Sequence, residues 1–203
     1  MIRALLFDLG DVLVGLDFPR AYRAAARLTG RSVEEIAELI SESGLANVYE
    51  HGRITSREFH EKFSAAIGLN VSFEEFRVLW GDMFESGTLL PESLLDQLHQ
   101  NYRMLIVSNT NELHFDWIVE HYSVVRHFDD YVLSYQLGSM KPHAAIYREA
   151  IKRAGRRPEE CFFTDDKAEN ISAAVELGID AAQFTGAAAL EDQLRQRGVN
   201  WQA

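Results

Sequence analysis

The chain has 203 residues, of which 47% are hydrophobic, and a formal net charge of -11 at pH 7. That length suffices for one core and a modest insert, and the acidic balance argues against nucleic acid as a partner, because phosphate-backbone binding needs an excess of Lys and Arg. No apolar run approaches the roughly 20 residues that cross a bilayer, and the single Cys161 excludes an internal disulfide, so a reduced, cytoplasmic protein with no membrane partner is expected.

The opening MIRALLFDLG reads as a strand, Ala4 to Phe7, rather than a secretory signal. From Asp17 to Thr88 the pattern turns helical. Asp17 can cap a helix with Pro19 in its first turn. Ser32 with Glu35, Thr55 with Glu58, and Ser72 with Glu75 each have capping-box spacing. Each box precedes apolar residues at helical spacing, such as Phe59, Phe63 and Ile67, which predicts an all-helical insert of about four helices. Phe76, Trp80 and Phe84 share that spacing and read as its core. Leu39, Ile40, Leu45 and Val48 fit either the insert's core or the face of a homodimer.

After Pro91, strand and helix alternate. Helices are expected over Ser93 to Tyr102, Glu112 to His121, Pro142 to Ala154, Ala168 to Leu177 and Leu190 to Arg197. Strands are expected over Met104 to Val107, Tyr131 to Ser134, Cys161 to Phe163 and Ala181 to Phe184. Gly155, Gly178 and Gly198 stand where helices would end. This alternation predicts an α/β fold, a doubly wound, Rossmann-like parallel sheet with right-handed crossovers. Residues 1–16 and 89–203 would form the core, and residues 17–88 an all-helical cap inserted after the first strand.

Four segments carry polar residues near strand ends: Asp8 in LLFDLGDVLV, Ser108 in MLIVSNTN, Lys141 in GSMKPHAAIY, and Asp165 with Asp166 in CFFTDDKAEN. Ligands of open α/β sheets bind beyond the carboxyl ends of the strands, so one fold can gather all four. A carboxylate nucleophile, a hydroxyl, a fixed cation and an acid pair make a phosphoryl-transfer site. Asp165 and Asp166 place two further negative charges near Asp8, and at an effective dielectric near 20 each like-charge pair at ~4 Å costs about 4 kcal/mol. Lys141 offsets one charge only, so a divalent cation is expected, and oxygen ligands suit Mg²⁺.

At these residues the chain resembles the haloacid dehalogenase superfamily of hydrolases. The four segments match that superfamily's motifs in order and spacing. FDLGDVLV, SNTNELH, GSMKPHAAIY, FFTDDKAENI and the cap stretch EHGRITSREF are similar to a bacterial subgroup of sugar-phosphate phosphatases, some of which hydrolyse glucose 1-phosphate. The resemblance implies an Mg²⁺-dependent phosphatase acting on a small phosphorylated metabolite, a sugar phosphate for preference. Asp8 would form an aspartyl-phosphate that water later hydrolyses. Asp8 and Asp166 would bind the metal directly and Asp165 through water, with the Gly10 carbonyl as a further ligand. Ser108 would hold a phosphate oxygen with the N–H groups of Asn109 and Thr110. Lys141 would neutralise the phosphate and orient Asp8. Asn170 would support the acid loop or Lys141, and the cap would close as a lid.

One position departs from the superfamily. Most of its phosphatases carry a second aspartate, the general acid, two residues after the nucleophile; here that residue is Gly10. Such a group is worth roughly 10²–10⁴-fold in rate. Asp11 lies one residue further on, where an extended chain points the side chain the other way, although a turn could redirect it to serve as the acid. Glu50 or His51 of the cap could supply the proton instead, or a substrate with a good leaving group could need less of it. The polar cluster Glu50, His51 and Arg53 fits a substrate wall, Glu50 foremost, or a solvated helix junction. His114, on a helix after the Ser108 loop, could touch substrate, with a helix surface as the default expectation. Three rivals remain: a phosphate-binding or regulatory protein with disabled catalysis, a 2-haloacid dehalogenase, and a signalling receiver domain. The acid pair argues against a dehalogenase, and the late position of that pair argues against a receiver.

Overall fold

The computed structural model describes residues 1–201. Five strands form one parallel sheet: β1 (Ala4–Phe7), β2 (Arg103–Ser108), β3 (Asp130–Leu133), β4 (Cys161–Asp165) and β5 (Asp180–Gln183), in the order β3-β2-β1-β4-β5. The architecture is the expected Rossmann-like α/β fold. β1 is the central strand, with Phe7 in register with Ile106 on one side and Thr164 on the other.

Alternation along the strands builds two cores. Leu5, Phe7, Met104, Ile106 and Phe162 face one way, against α6 (Glu92–His99), α7 (Glu112–His121) and α11 (Ala187–Gln196). Ala4, Leu6, Leu105, Val107 and Phe163 face the other, against α9 (Ala144–Ala154) and α10 (Ala168–Glu176). Strands buried on both faces carry continuous apolar runs, the pattern of a covered parallel sheet. Cys161 is a buried free thiol in this second core.

The insert holds five helices rather than about four: α1 (Phe18–Thr29), α2 (Val33–Ser43), α3 (Leu45–Glu50), α4 (Ser56–Ile67) and α5 (Phe73–Gly81). The short α3, pinched between Gly44 and Gly52, lacks the apolar period that marks the others. Asp17 caps α1, and all three capping boxes form. The cap core gathers Ile36, Tyr49, Phe59, Phe63, Phe76 and Trp80, and it takes in Leu113 of α7. Leu39, Ile40 and Leu45 pack partly buried against it. Phe84 lies beyond the end of α5, so the aromatic spacing outruns the helix. The chain enters and leaves the cap as a paired ribbon: Asp17 N–H donates to the Met83 carbonyl (2.7 Å), Glu85 N–H to Gly15 (2.9 Å) and Leu89 N–H to Leu13 (3.0 Å).

α6 ends at His99 rather than Tyr102 and α11 begins at Ala187 rather than Leu190; two further shifts have a local cause. Pro142 precedes α9 instead of opening it, because His143 N–H donates to the Met140 carbonyl at 2.9 Å and closes a turn first. β3 stops at Leu133, and Ser134 begins a one-turn helix, α8 (Ser134–Leu137), ended by Gly138 at φ 73°.

Candidate active site

Three adjacent strands deliver the polar groups. Asp8 follows β1, Ser108 closes β2 and Asp165 closes β4, and parallel pairing opens all three carboxyl ends on one side. Asp8 N–H donates to the Thr164 carbonyl at 2.9 Å, which carries the ladder one residue past β1. Asp8 Oδ1 accepts from Leu9 N–H at 2.7 Å and lies 2.6 Å from Lys141 Nζ.

Lys141 is 4% exposed and bridges two carboxylates, with Asp165 Oδ2 at 2.7 Å. Asn109 positions it from the main chain: Asn109 Nδ2 donates to the Lys141 carbonyl (2.9 Å), and Lys141 N–H donates to Asn109 Oδ1 (2.7 Å). Burial alone would disfavour the ammonium, but Asp8 and Asp165 outweigh it and hold the Lys141 pKa above its ordinary value. Asp165 is fully buried. Its Oδ1 accepts from Lys167 N–H (2.8 Å), and Asn170 Nδ2 lies 2.9 Å from both oxygens. Burial would raise this acid, yet Lys141 and these donors keep it below the usual carboxylate range. Asp8 shows the opposite balance: burial pushes its carboxyl up against the pull of Lys141. Asp166 is half-buried and is raised by burial and by Asp165.

One oxygen from each of Asp8, Asp165 and Asp166 lies within 4.8 Å of the others. This hard-oxygen donor set carries more negative charge than Lys141 offsets, so it fits a divalent cation such as Mg²⁺. Asp8 and Asp166 border the cavity together with Gly10. Asp165 is committed to Lys141, Asn170 and Lys167, so it anchors the Lys141 ammonium, and within the donor set its contribution is the indirect one.

Asp8, Gly10, Ser108, Asn109, Lys141 and Asp166 share a cavity of about 270 Å³. Thr110 and the cap's Glu50 also line it. Thr110 N–H, however, donates to Ser134 Oγ at 3.0 Å, so it is not free for a phosphate oxygen as expected. Ser134 was not singled out in the sequence. Its hydroxyl lies 2.7 Å from the Glu50 carbonyl and 2.9 Å from the Thr110 carbonyl, joining cap to core. Gly52 tightens the same joint: at φ 65°, a Cβ there would sit 2.0 Å from the Tyr135 carbonyl oxygen.

Glu50 is raised by burial, against the pull of Lys167 and His51. His51 is turned away, its Nδ1 2.8 Å from the Asn47 carbonyl. Asp11 adopts φ 56°, and its Oδ1 accepts from Leu16 N–H at 3.0 Å. It borders the cavity as a turn former. A Cβ on Gly10 would meet Leu16 Cδ1 at 2.9 Å, so Leu16 occupies the room a side chain would take. His114, expected on a surface, is buried on the cavity wall, because α7 turns that face toward Trp80 and Phe84. Met83, Phe84, Ile118 and Met140 complete the wall. Their apolar character carried no signal in sequence that separated wall from core.

A family model described as haloacid dehalogenase-like hydrolase matches residues 2–178. The chain is 29% identical over 189 residues to a D-ribitol-5-phosphate phosphatase of Bacteroides thetaiotaomicron, covering 90% of this chain and 92% of that one. It is 27% identical over 195 residues to a glyceraldehyde 3-phosphate phosphatase of Methanothermobacter thermautotrophicus, covering 89% and 84%. Among solved structures, it is similar to a haloacid dehalogenase-family enzyme of Bacteroides thetaiotaomicron in complex with magnesium and inorganic phosphate. That likeness has TM-score 0.82 and 29% identity, over 92% of this chain and 96% of that one. With its four polar segments gathered at the carboxyl edge of one parallel sheet, the chain belongs to the haloacid dehalogenase-like hydrolases.

Proposed function

We propose that the protein is an Mg²⁺-dependent phosphatase that hydrolyses a small sugar or polyol phosphate through phospho-Asp8. The observation that carries this reading is the Lys141 ammonium held between Asp8 and Asp165, at 2.6 and 2.7 Å, on the floor of a cavity that Ser108 and Asp166 also face. The relatives that act on ribitol 5-phosphate and glyceraldehyde 3-phosphate support the substrate class. Asp8, Asp166 and the Gly10 carbonyl would hold the cation, which neutralises phosphate charge when bound.

The chain's own residues supply the rest. The Asp8 carboxylate attacks phosphorus and the leaving oxygen departs with its electron pair. Lys141 and the Ser108 hydroxyl hold charged phosphoryl oxygens at the strand ends, where their orientation is set before substrate arrives. Asn109 fixes Lys141 through its main chain, and Asp165 fixes its ammonium. Glu50 gives the leaving oxygen its proton. Burial favours the protonated form of Glu50, and it is the cap carboxyl that faces the cavity. It takes the place of an acid at Gly10; left as a carboxylate, it accepts a proton from the water that attacks the phospho-Asp8 phosphorus, and phosphate forms as the Asp8 oxygen leaves. The joint at Ser134 and Gly52 holds Glu50 to the core, so the cap that excludes water also brings the acid.

The test is phosphate release from a panel of phosphorylated metabolites, ribitol 5-phosphate and glyceraldehyde 3-phosphate included, with Mg²⁺ and with chelator. Metal-dependent release that Asp8→Asn abolishes is the expected result. Release that survives Asp8→Asn in a clean preparation would sink the mechanism.

A further inference from the structure

Two described residues that line the cavity have a buried side-chain atom without a partner: Asn170 Oδ1, which belongs to the Asp165 network, and His114 Nε2. His114 lies in the first turn of α7, 8% exposed, its ring beside Phe84 and Ile118 on the cavity wall. Asn111 decides which ring nitrogen carries the proton. Asn111 caps α7, its Oδ1 accepting from the His114 main-chain N–H at 3.1 Å. The amide is thereby oriented, so Asn111 Nδ2 is the atom 3.0 Å from His114 Nδ1. An amide NH₂ only donates. His114 Nδ1 therefore accepts, and the ring proton resides on Nε2.

Nε2 is buried and makes no hydrogen bond of good geometry to a described group; the Trp80 carbonyl gives the ring only a weak interaction that raises its pKa slightly against burial. The Trp80 ring stacks on the imidazole at 4.9 Å, and Phe84 meets it edge-on at 5.1 Å. Burial keeps the ring neutral, drawing its pKa down to about 3. A second proton would also have to sit on Nδ1, against the Asn111 NH₂. A neutral, oriented donor held without a partner is the type of group that a ligand oxygen completes.

We propose that His114 determines specificity in this site: its Nε2–H donates to a hydroxyl or carbonyl oxygen on the carbon chain of the substrate, beyond the phosphate ester. The assignment rests on the phosphatase reading and deepens it. Nε2 is covered in the present arrangement, flanked by Trp80 and Phe84 from the cap and its return strand, so the assignment requires those rings to part from α7 as a substrate seats. A donor-only nitrogen selects an oxygen acceptor and rejects an ammonium at the same place. The apolar side chains of Met83, Phe84 and Ile118 beside it pack against C–H faces. Together they fit a short sugar or polyol chain.

The experiment compares the panel's fastest-released sugar or polyol phosphate with phenyl phosphate, which has no acceptor beyond the ester, using protein with Mg²⁺ bound. In His114→Phe, which keeps a buried ring, kcat/KM should fall about tenfold more for the sugar or polyol phosphate than for phenyl phosphate, mainly through KM. Asn111→Asp keeps the helix cap but places an acceptor at Nδ1, so it should move the proton and reproduce that selective loss. Equal losses on both substrates, or no loss in either variant, would overturn the assignment. A second readout is independent of turnover: in Asp8→Asn protein labelled with ¹⁵N-histidine, the Nε2–H resonance should be present and should shift when the sugar or polyol phosphates of the panel are added with Mg²⁺. Absence of any shift across the panel overturns the role of His114. If the wild-type protein releases phosphate from nothing, the phosphatase reading fails while the resonance shift still decides the role of His114.

Discussion

Replacing Lys141 with Met removes the one cation that Asp8 and Asp165 share. The ammonium is almost fully enclosed, 2.6 Å from one carboxylate and 2.7 Å from the other, so solvent screens the loss little. Removing one partner from a buried ion pair costs about 3–5 kcal/mol, because the remaining charge is stranded. For a chain of this size each kcal/mol lowers the melting midpoint by roughly 2–4 °C, so a fall of about 6–20 °C is expected. Asp8 relieves part of this by taking a proton, since burial already favours its neutral form. The penalty should therefore be smaller at pH 5 than at pH 8. Urea unfolding of metal-free protein, followed by circular dichroism, measures it. The double variant Lys141→Met/Asp165→Asn should be more stable than the two single losses sum to, by over ~1 kcal/mol of coupling. A single variant within ~1 kcal/mol of the parent at pH 8, or strictly additive losses, would refute the reasoning.

Three further outcomes are expected. Gly52→Ala places a methyl against the Tyr135 carbonyl at positive φ; it should cost roughly 1–3 kcal/mol and lower kcat/KM through the displaced Glu50, and wild-type kinetics in the variant would count against the Ser134 joint. His114 makes the protein acid-sensitive: unfolded, it takes a proton below about 6.5, whereas folded it does so only near 3. Stability therefore falls as pH drops through that window, and His114→Phe should flatten the slope by up to about 1.4 kcal/mol per pH unit; identical slopes would mean the ring is not buried neutral. Mg²⁺ at a hundredfold excess over its dissociation constant should raise the unfolding free energy by about 2.7 kcal/mol, and Asp166→Asn should remove most of that gain; a melting midpoint insensitive to Mg²⁺ in the parent would contradict the metal site.

The three central strands, β1, β2 and β4, were legible because they are apolar runs ended by an acid or a hydroxyl. The cap helices were legible because capping boxes are local chemistry: Ser32, Thr55 and Ser72 bond within three residues of themselves. For the same reason α3 went unseen, since its boundaries are glycine conformations. Asp8, Ser108, Lys141 and Asp165 were identifiable from strand ends, but their division of labour was not. Asp165 differs from Asp166 only through what surrounds it, namely Lys141, Asn170 and Lys167. Ser134 escaped, and His114 was named as a possible substrate contact but expected on a surface, for a related reason. Their partners lie on other segments, Thr110 with Glu50 for the first and Trp80 with Phe84 for the second, and no spacing along the chain records such a meeting.

The paired ribbon that joins cap to core has a consequence for how such a protein changes over generations. Its two strands leave and return side by side, so the sheet sees a single narrow port. What is hung from that port can grow, shrink or be exchanged without altering strand order, and each doubling of an inserted length adds only about 0.6 kcal/mol of closure entropy. Asp8, Ser108 and Lys141, which act on the phosphoryl group, are rooted in the strands and in the Lys141 segment, while Glu50, which would protonate the leaving oxygen, and Met83 and Phe84, which border the rest of a substrate, hang beyond the port or beside it. Selection can therefore revise one set while the other stays still, so divergent substrate preference within a constant chemistry is the course of change this architecture makes easiest.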